Sequence, residues 1–172
     1  RPVIWAGGGA LRAGAGEALG ELAETLAAPI ITTYAARGIV PPDHPCRASN
    51  PVHTPEVGAL WDEADVVLAV GTDFDGMMTQ NWRMPKPPTL ITVNVDAGDA
   101  AKNYPPDLQL TGDAREATEN LALGMPRRAG LPELSRRLDD IETRVRRRIR
   151  REEPQAAELL TALSETLPDD AV

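Results

Sequence analysis

The chain has 172 residues, 42% of them hydrophobic, with a mean hydropathy of -0.29, which suits a compact globular domain carrying an appended segment. Its formal net charge of -8 and pI near 4.8 exclude the basic stripe with which a nucleic-acid-binding surface neutralises phosphates. No run is apolar and long enough to span a bilayer, nothing resembles a signal peptide, and a lone cysteine, Cys46, excludes an internal disulfide or a thiolate zinc cluster, so the simplest expectation is a reducing, cytoplasmic location.

In chain order, residues 2–6 (PVIWA) predict a strand that runs into three glycines, Gly7, Gly8 and Gly9, and then a helix. A phosphate-binding turn needs that pattern, because bare backbone lets a diphosphate approach and a helix start offers free N–H groups. Any tight strand-to-helix turn needs it as well. The dinucleotide fingerprint is incomplete: Arg12 stands where its third glycine belongs, and the second strand ends TTYAARG, without an acid for a ribose. A Gly-Lys-Ser or Gly-Lys-Thr loop is absent too.

Residues 15–26 predict a helix with Leu19, Leu22, Ala23 and Leu26 on one face, and residues 29–34 a second strand. The loop PPDHPCRASNPVHTP follows, containing His44, His53 and Cys46. Its proline-rich spacing does not suit converging metal ligands, and nothing near Cys46 would lower a thiol pKa. Thr54 is a candidate N-cap, with Pro55 at the first helical position of a helix reaching Ala64. Residues 66–70 form a third apolar strand; Asp73 and Asp75 alternate beyond it, where turn or capping acids are commoner than a proton-sharing pair. Strands over 90–95 and 108–111 precede a helix capped by Asp113, carrying Ala117, Leu121 and Leu123, and stopped by Gly124.

Beyond Gly124 the composition changes. Residues 131–153 read as a charged helix with a narrow stripe of Leu131, Leu134, Leu138, Ile141, Val145 and Ile149. Its arginine-rich stretch, 144–151, is balanced by neighbouring acids, so it reads as the solvated face of a helix that packs on the body or on a partner. A last helix spans 155–167, after which Pro168-Asp169-Asp170 would turn the chain into a strand at Ala171-Val172. The first residue is not methionine and a strand begins at once, so both ends read as domain boundaries.

Alternating strands and helices with short connections predict an α/β fold: a Rossmann-like three-layer domain with a mainly parallel sheet of about five to six strands flanked by helices, plus a C-terminal helical extension. Such sheets bind ligands beyond the carboxyl ends of their strands, and small or polar residues collect there. No catalytic constellation and no metal-ligand set emerges from the residues alone.

The segments RPVIWAGGG, ELAETLAAPIITTYAARGIVPPDHP, EADVVLAVGTDFD and LITVNVDAGDAAKNYPPDLQLTGDAREA together resemble the central domain of thiamine-diphosphate-dependent enzymes, nearest the acetolactate-synthase-like branch, over residues 1–123. The resemblance implies a central domain at 1–125 and a helical linker at 126–172 leading to a diphosphate-binding domain. In that family a pyrimidine-binding domain precedes the central one, and the two flanking domains hold thiamine diphosphate and magnesium. It further implies decarboxylation or carboligation of 2-keto acids by a homodimer or homotetramer, with this domain inactive in isolation. Gly112-Asp113 only echoes the magnesium motif, because Ala114 follows and Asn120 comes too soon.

Some relatives carry FAD or ADP across the strand ends. By position the contacts would fall on Gly7, Gly8 and Gly9; on Thr33, Tyr34 and Ala35; and around Val52 and His53. The third strand would contribute Gly71, Thr72, Asp73 and Asp75, the fourth Asn94 and Val95, and the fifth Gly112 and Asp113. Flavin binders read Gly-Ala-Arg-Phe-Asp-Asp-Arg where this chain has Gly71-Thr72-Asp73-Phe74-Asp75-Gly76-Met77. An acid beside a diphosphate disfavours binding where a guanidinium would add charge-assisted hydrogen bonds. Two other readings stay open: a free-standing FAD- or ADP-binding regulatory module, and an interaction domain that assembles through the stripe at 131–149.

Overall fold

Strand β1 (Pro2–Ala6) sends Val3 and Trp5 into one buried cluster and Ile4 and Ala6 into another. Burial on both faces explains its unbroken apolar run. The computed structural model describes residues 1–168; the strand expected at Ala171-Val172 lies outside the described residues. With β2 (Ile30–Thr32), β3 (Val66–Val70), β4 (Thr89–Asn94) and β5 (Leu108–Thr111), β1 forms a five-stranded sheet in the order β2-β1-β3-β4-β5. Every pairing is parallel.

Strand β2 is shorter than expected. The Thr33 N–H still donates to the Ala6 carbonyl at 2.9 Å, but Thr33 already caps a 3-10 turn over Tyr34–Ala36. The outer edge of β2 is covered by the proline-rich loop: the Ile30 N–H donates to the Cys46 carbonyl at 2.7 Å and the Ala48 N–H to the Ile30 carbonyl at 3.0 Å. An edge paired in this way offers no template for another chain.

Two short helices escape sequence periodicity, α1 (Gly8–Arg12) and, late in the chain, α4 (Ala97–Ala101). The others are α2 (Gly16–Leu26), α3 (Pro55–Asp62), α5 (Ala114–Gly124), α6 (Leu131–Glu152) and α7 (Pro154–Thr166). Helices α2 and α5 cover the Ile4 face, and α3 and α6 the Trp5 face, which gives the three layers. Asp113 caps α5 as its sequence position predicts, its Oδ1 accepting from the N–H groups of Arg115 and Glu116 at 2.9 and 3.1 Å. Thr54 differs: it precedes α3, but its hydroxyl donates to the Pro51 carbonyl at 2.8 Å and caps no N–H. The bend of the preceding loop takes the hydroxyl away, leaving Pro55 to start the helix without an orphan donor.

The Trp5 face is organised by aromatic rings. Trp5 meets Trp61 edge-on at 5.2 Å and Phe74 at 5.4 Å, and Phe74 meets Tyr104 at 5.3 Å. Phe74 comes from the loop after β3, so that loop is pinned into the core.

The stripe on α6 closes this face. Leu138, Ile141 and Val145 are all nearly inaccessible and belong to the Trp5 cluster, each contributing about 1.5–3 kcal/mol through burial. Three polar contacts fix the helix to the body: Arg137 to Glu63 at 2.7 Å, Arg148 to Glu56 at 2.9 Å, and the Ser49 hydroxyl to Glu142 at 2.6 Å. The Ser49 hydrogen bond, with support from Arg146, holds the Glu142 carboxyl below its ordinary range. A depressed folded-state pKa stabilises above the unfolded value, about 4.3, and the contribution disappears as pH falls through the folded value. Glu142→Gln is therefore expected to lower the urea midpoint at pH 7, with the gap to wild type closing as pH falls below about 4.3. Parallel urea titrations at pH 7, 5 and 3 check this.

Helix α7 has a different setting. It packs chiefly on α6, and Leu159, Leu160, Leu163 and the following Leu167 remain exposed.

Candidate functional site

In this strand order the direction of strand addition reverses between β1 and β3, and the crevice above their carboxyl ends is where open α/β sheets place ligands. A cleft of about 390 Å³ lies there. Gly8 and Gly9 reach it from β1, Thr33 and Ala35 from β2, and Asn94 and Val95 from β4. Gly71, Thr72, Asp73 and Asp75 form its β3 side.

The remaining candidates stand apart. Gly7 is packed beneath the turn. Tyr34 and His53 pair with each other, ring centroids 6.0 Å apart, and neither lines the cleft; Val52 is buried in the Trp5 cluster. The Gly112 N–H donates to the Asn94 carbonyl at 3.0 Å, and Asp113 is spent on its cap. Three charged residues that the positional assignment omits do line the cleft: Arg12, Asp96 and Asp99. Asp96 sits at a strand end and was visible as such, whereas Asp99 is brought in by α4, whose five residues leave no periodic signal.

Backbone packing explains the glycines. A Cβ on Gly7 would lie 2.3 Å from the Gly71 carbonyl oxygen, and one on Gly9 would lie 2.9 Å from the Gly71 Cα. Gly71 has φ +61, and a Cβ there would lie 2.2 Å from the Ala10 nitrogen. The turns after β1 and β3 thus interlock backbone to backbone, which only glycine permits. The same interlock consumes donors: the Gly7 N–H bonds the Val70 carbonyl and the Gly9 N–H the Gly71 carbonyl, both at 2.9 Å, while the Ala10 N–H bonds the Gly7 carbonyl at 3.0 Å. A Cβ on Gly8 would instead meet the Ala35 Cβ at 3.0 Å and the flexible tip of Arg12 at 3.3 Å.

The electrostatics point away from phosphate. Asp73, Asp75, Asp96 and Asp99 face the cleft against Arg12, with Lys102 at 3.7 Å from Asp73 and 3.9 Å from Asp99. Hydrogen bonds from the N–H groups of Asp99 and Gly98 hold the Asp96 carboxyl below its usual range, keeping it ionised at neutral pH. With the Gly7, Gly9 and Gly71 amides engaged within the protein and its walls acidic, the cleft is a poor match for the diphosphate of FAD or ADP.

The loop beyond Asp73 is strained and braced. Phe74, Gln80, Asn81 and Trp82 have φ of 55 to 57, the left-handed region. The Trp82 indole N–H donates to the Phe74 carbonyl at 3.0 Å, the Asn103 amide to the Asp73 carbonyl at 2.7 Å, and the Asn94 amide to the Thr72 carbonyl at 3.1 Å. Met77 and Trp82 are left exposed at the surface of this loop.

The loop histidine and cysteine have a structural setting. Burial, with the Glu24 carboxylate, pushes the Cys46 thiol up to about 12, so it carries no thiolate at neutral pH. Burial also lowers His44 despite Glu24 and Asp43, and its Nδ1 accepts the Cys46 N–H at 3.2 Å. Among the described residues no group of three or more His, Cys, Asp and Glu side chains could hold a metal ion.

The five-stranded parallel sheet with a cleft at its switch point can be compared with known proteins. Residues 1–121 match the family model of the thiamine pyrophosphate enzyme central domain. The chain belongs to that family. It is 41% identical over 129 residues to the probable 2-ketoarginine decarboxylase of Pseudomonas aeruginosa, covering 75% of this chain and 23% of the relative. It is 35% identical over 124 residues to the probable acetolactate synthase large subunit of Methanocaldococcus jannaschii, covering 70% and 21%. A solved structure assigned as a thiamin diphosphate-dependent enzyme from Mycobacterium smegmatis superimposes with a TM-score of 0.59 at 25% identity, over 75% of this chain and 26% of that one. The chain therefore spans about a quarter of the length of these relatives. No helix among the described residues is long and apolar enough to cross a membrane.

Proposed function

We propose that this chain is the scaffold domain of a thiamine-diphosphate-dependent enzyme that decarboxylates or carboligates 2-keto acids, without activity of its own. The observation that carries this reading is the family match over most of the folded sheet domain. Thiamine diphosphate with Mg2+, held by a pyrimidine-binding and a diphosphate-binding domain of the same chain, supplies the carbanion stabilisation that follows loss of carbon dioxide. Gly112-Asp113 serves the start of α5 instead, the Asp113 Oδ1 accepting the Arg115 and Glu116 N–H groups.

What this domain contributes is position. The interlocked turns at Gly7 to Gly9 and Gly71 fix the carboxyl end of the sheet, and the braced loop carrying Met77 and Trp82 offers a wall to a neighbouring domain. The exposed leucines of α7 are suited to cover by a diphosphate-binding domain, since Leu159, Leu160 and Leu163 share one helical face and Leu167 follows exposed at its C-cap. Residues 126–172 then act as the connection between the domains, with α6 bound to the core and α7 turned outward. In the assembled enzyme we expect a homodimer or homotetramer in the cytoplasm. The coding sequence beyond Val172 tests the assignment: a Gly-Asp-Gly…Asn motif there supports it, and a reading frame without that motif overturns it.

A further inference from the structure

The two faces of the sheet are covered unequally. On the Trp5 face α3, α6 and the loop carrying Phe74 close over the strands, whereas α2 and α5 leave the amino ends of β3, β4 and β5 partly bare on the Ile4 face. A cavity of about 400 Å³ lies there. We propose that it binds an elongated amphiphile with one carboxylate, of the medium-chain fatty-acid class, the tail lying in the cavity and the carboxylate on Arg128.

The floor of the cavity is a single register row. Ile4 pairs with Leu68, Leu68 with Ile91 and Ile91 with Leu108, and all four line it. Exposure climbs along that row from 0% at Ile4 and 9% at Leu68 to 52% at Leu108, so the cavity is a trough running from the core to the sheet edge at β5. Three strand spacings give it a length of about 14 Å. Leu26 of α2 and Leu121 of α5 stand along its sides. Water in such a trough finds few polar partners, and an apolar chain that replaces it is favoured in proportion to the area it buries.

The head group follows from the rim. Among the described residues Arg128 is the one ionisable residue that lines the trough. It is exposed, and its backbone N–H donates to the Thr25 carbonyl at 2.7 Å, which ties the rim to the end of α2. Arg127 beside it is paired with Glu24 at 3.5 Å, whereas the Arg128 guanidinium has no hydrogen-bond or ion-pair partner among the described residues. A guanidinium at the rim of an apolar trough matches a carboxylate on an apolar chain, because its fork offers two N–H donors to the two oxygens. A second copy fits less well: an isologous pair sets the same concave surface on both sides, and a trough does not fill a trough. The trough also lies at the opposite end of the strands from the loop carrying Met77 and Trp82, so it is separate from the wall assigned above to a neighbouring domain.

Calorimetric titration of the intact chain with sodium hexanoate, octanoate and decanoate, each below its micelle concentration, tests the proposal, with octylammonium and 1-octanol as controls. A saturable site is expected whose affinity rises about tenfold or more for each added pair of methylenes, and octylammonium should bind about tenfold more weakly than octanoate, since Arg128 repels it. Arg128→Gln should weaken octanoate about three- to fivefold, the scale of an exposed ion pair, and leave 1-octanol unchanged. Leu108→Asp, at an exposed position where folding is little affected, should weaken octanoate about tenfold or more by placing an acid in the trough. Absence of a saturable site, affinity independent of chain length, octylammonium binding as tightly as octanoate, or unchanged octanoate affinity in Arg128→Gln would overturn the proposal. So would a dimer in sedimentation that Leu108→Asp dissociates and no carboxylate displaces, which would give the trough to a second copy.

Discussion

Gly71→Ala is expected to unfold the protein, whereas Gly8→Ala, one residue inside the glycine triplet, is expected to leave it folded. At Gly71 the added Cβ meets the Ala10 nitrogen at 2.2 Å in a backbone conformation with φ +61. Left-handed geometry alone costs an alanine about 1–2 kcal/mol. The clash is with backbone, which cannot step aside without breaking the hydrogen bond from the Gly9 N–H to the Gly71 carbonyl. A total loss above about 4 kcal/mol, a large part of a domain's stability, is expected. Gly7→Ala belongs with it, since its Cβ meets the Gly71 oxygen at 2.3 Å. At Gly8 the nearest atoms are the Ala35 Cβ at 3.0 Å and the flexible tip of Arg12 at 3.3 Å, and the position opens a helix, so the change should stay within about 1 kcal/mol. Urea denaturation of the three variants separates them. If all three were equally harmless to stability, the interlocking of the two turns would be wrong.

Val145→Asp should have a comparable effect, and it decides what the stripe on α6 is for. Val145 is fully buried against the aromatic cluster and Ile141 is 2% exposed. An uncompensated carboxylate in that setting cannot be hydrated, so a cooperatively folded protein is not expected at 25 °C; the milder Ile141→Ala should cost about 2–5 kcal/mol. A helix that served only to join copies would behave otherwise. Its variants would keep their circular-dichroism spectrum and melting temperature while losing an oligomer in sedimentation. That outcome would remove α6 from the core of the domain.

Much of this fold is legible in the sequence, for identifiable reasons. The runs VIWA, VVLAV and LITV are apolar on both faces because helices cover both sides of a parallel sheet. Asp113 announces α5 because capping chemistry is local. The stripe of α6 is equally legible, yet whether it meets the body or a partner depends on contacts with residues such as Glu56 and Glu63, some 74 to 92 positions away. Thr54 shows the limit of a local rule, since its hydroxyl finds a nearer acceptor in the Pro51 carbonyl. The cleft was half legible. Strand ends mark where it must be, but Asp99 enters through a helix too short to leave a period, and the reason for Gly7 and Gly9 lies in Gly71, more than sixty residues on. The glycines are therefore the packing surface of one turn against another, and Asp73, Asp75 and Asp96 line the cleft beside them.

The central claim is that these 172 residues position a thiamine-dependent site without containing it. Its most direct test is carbon dioxide release from a panel of 2-keto acids by the purified chain, supplied with saturating thiamine diphosphate and Mg2+. The account predicts a rate indistinguishable from the protein-free control. Turnover by the chain alone, abolished when thiamine diphosphate is left out, would contradict it.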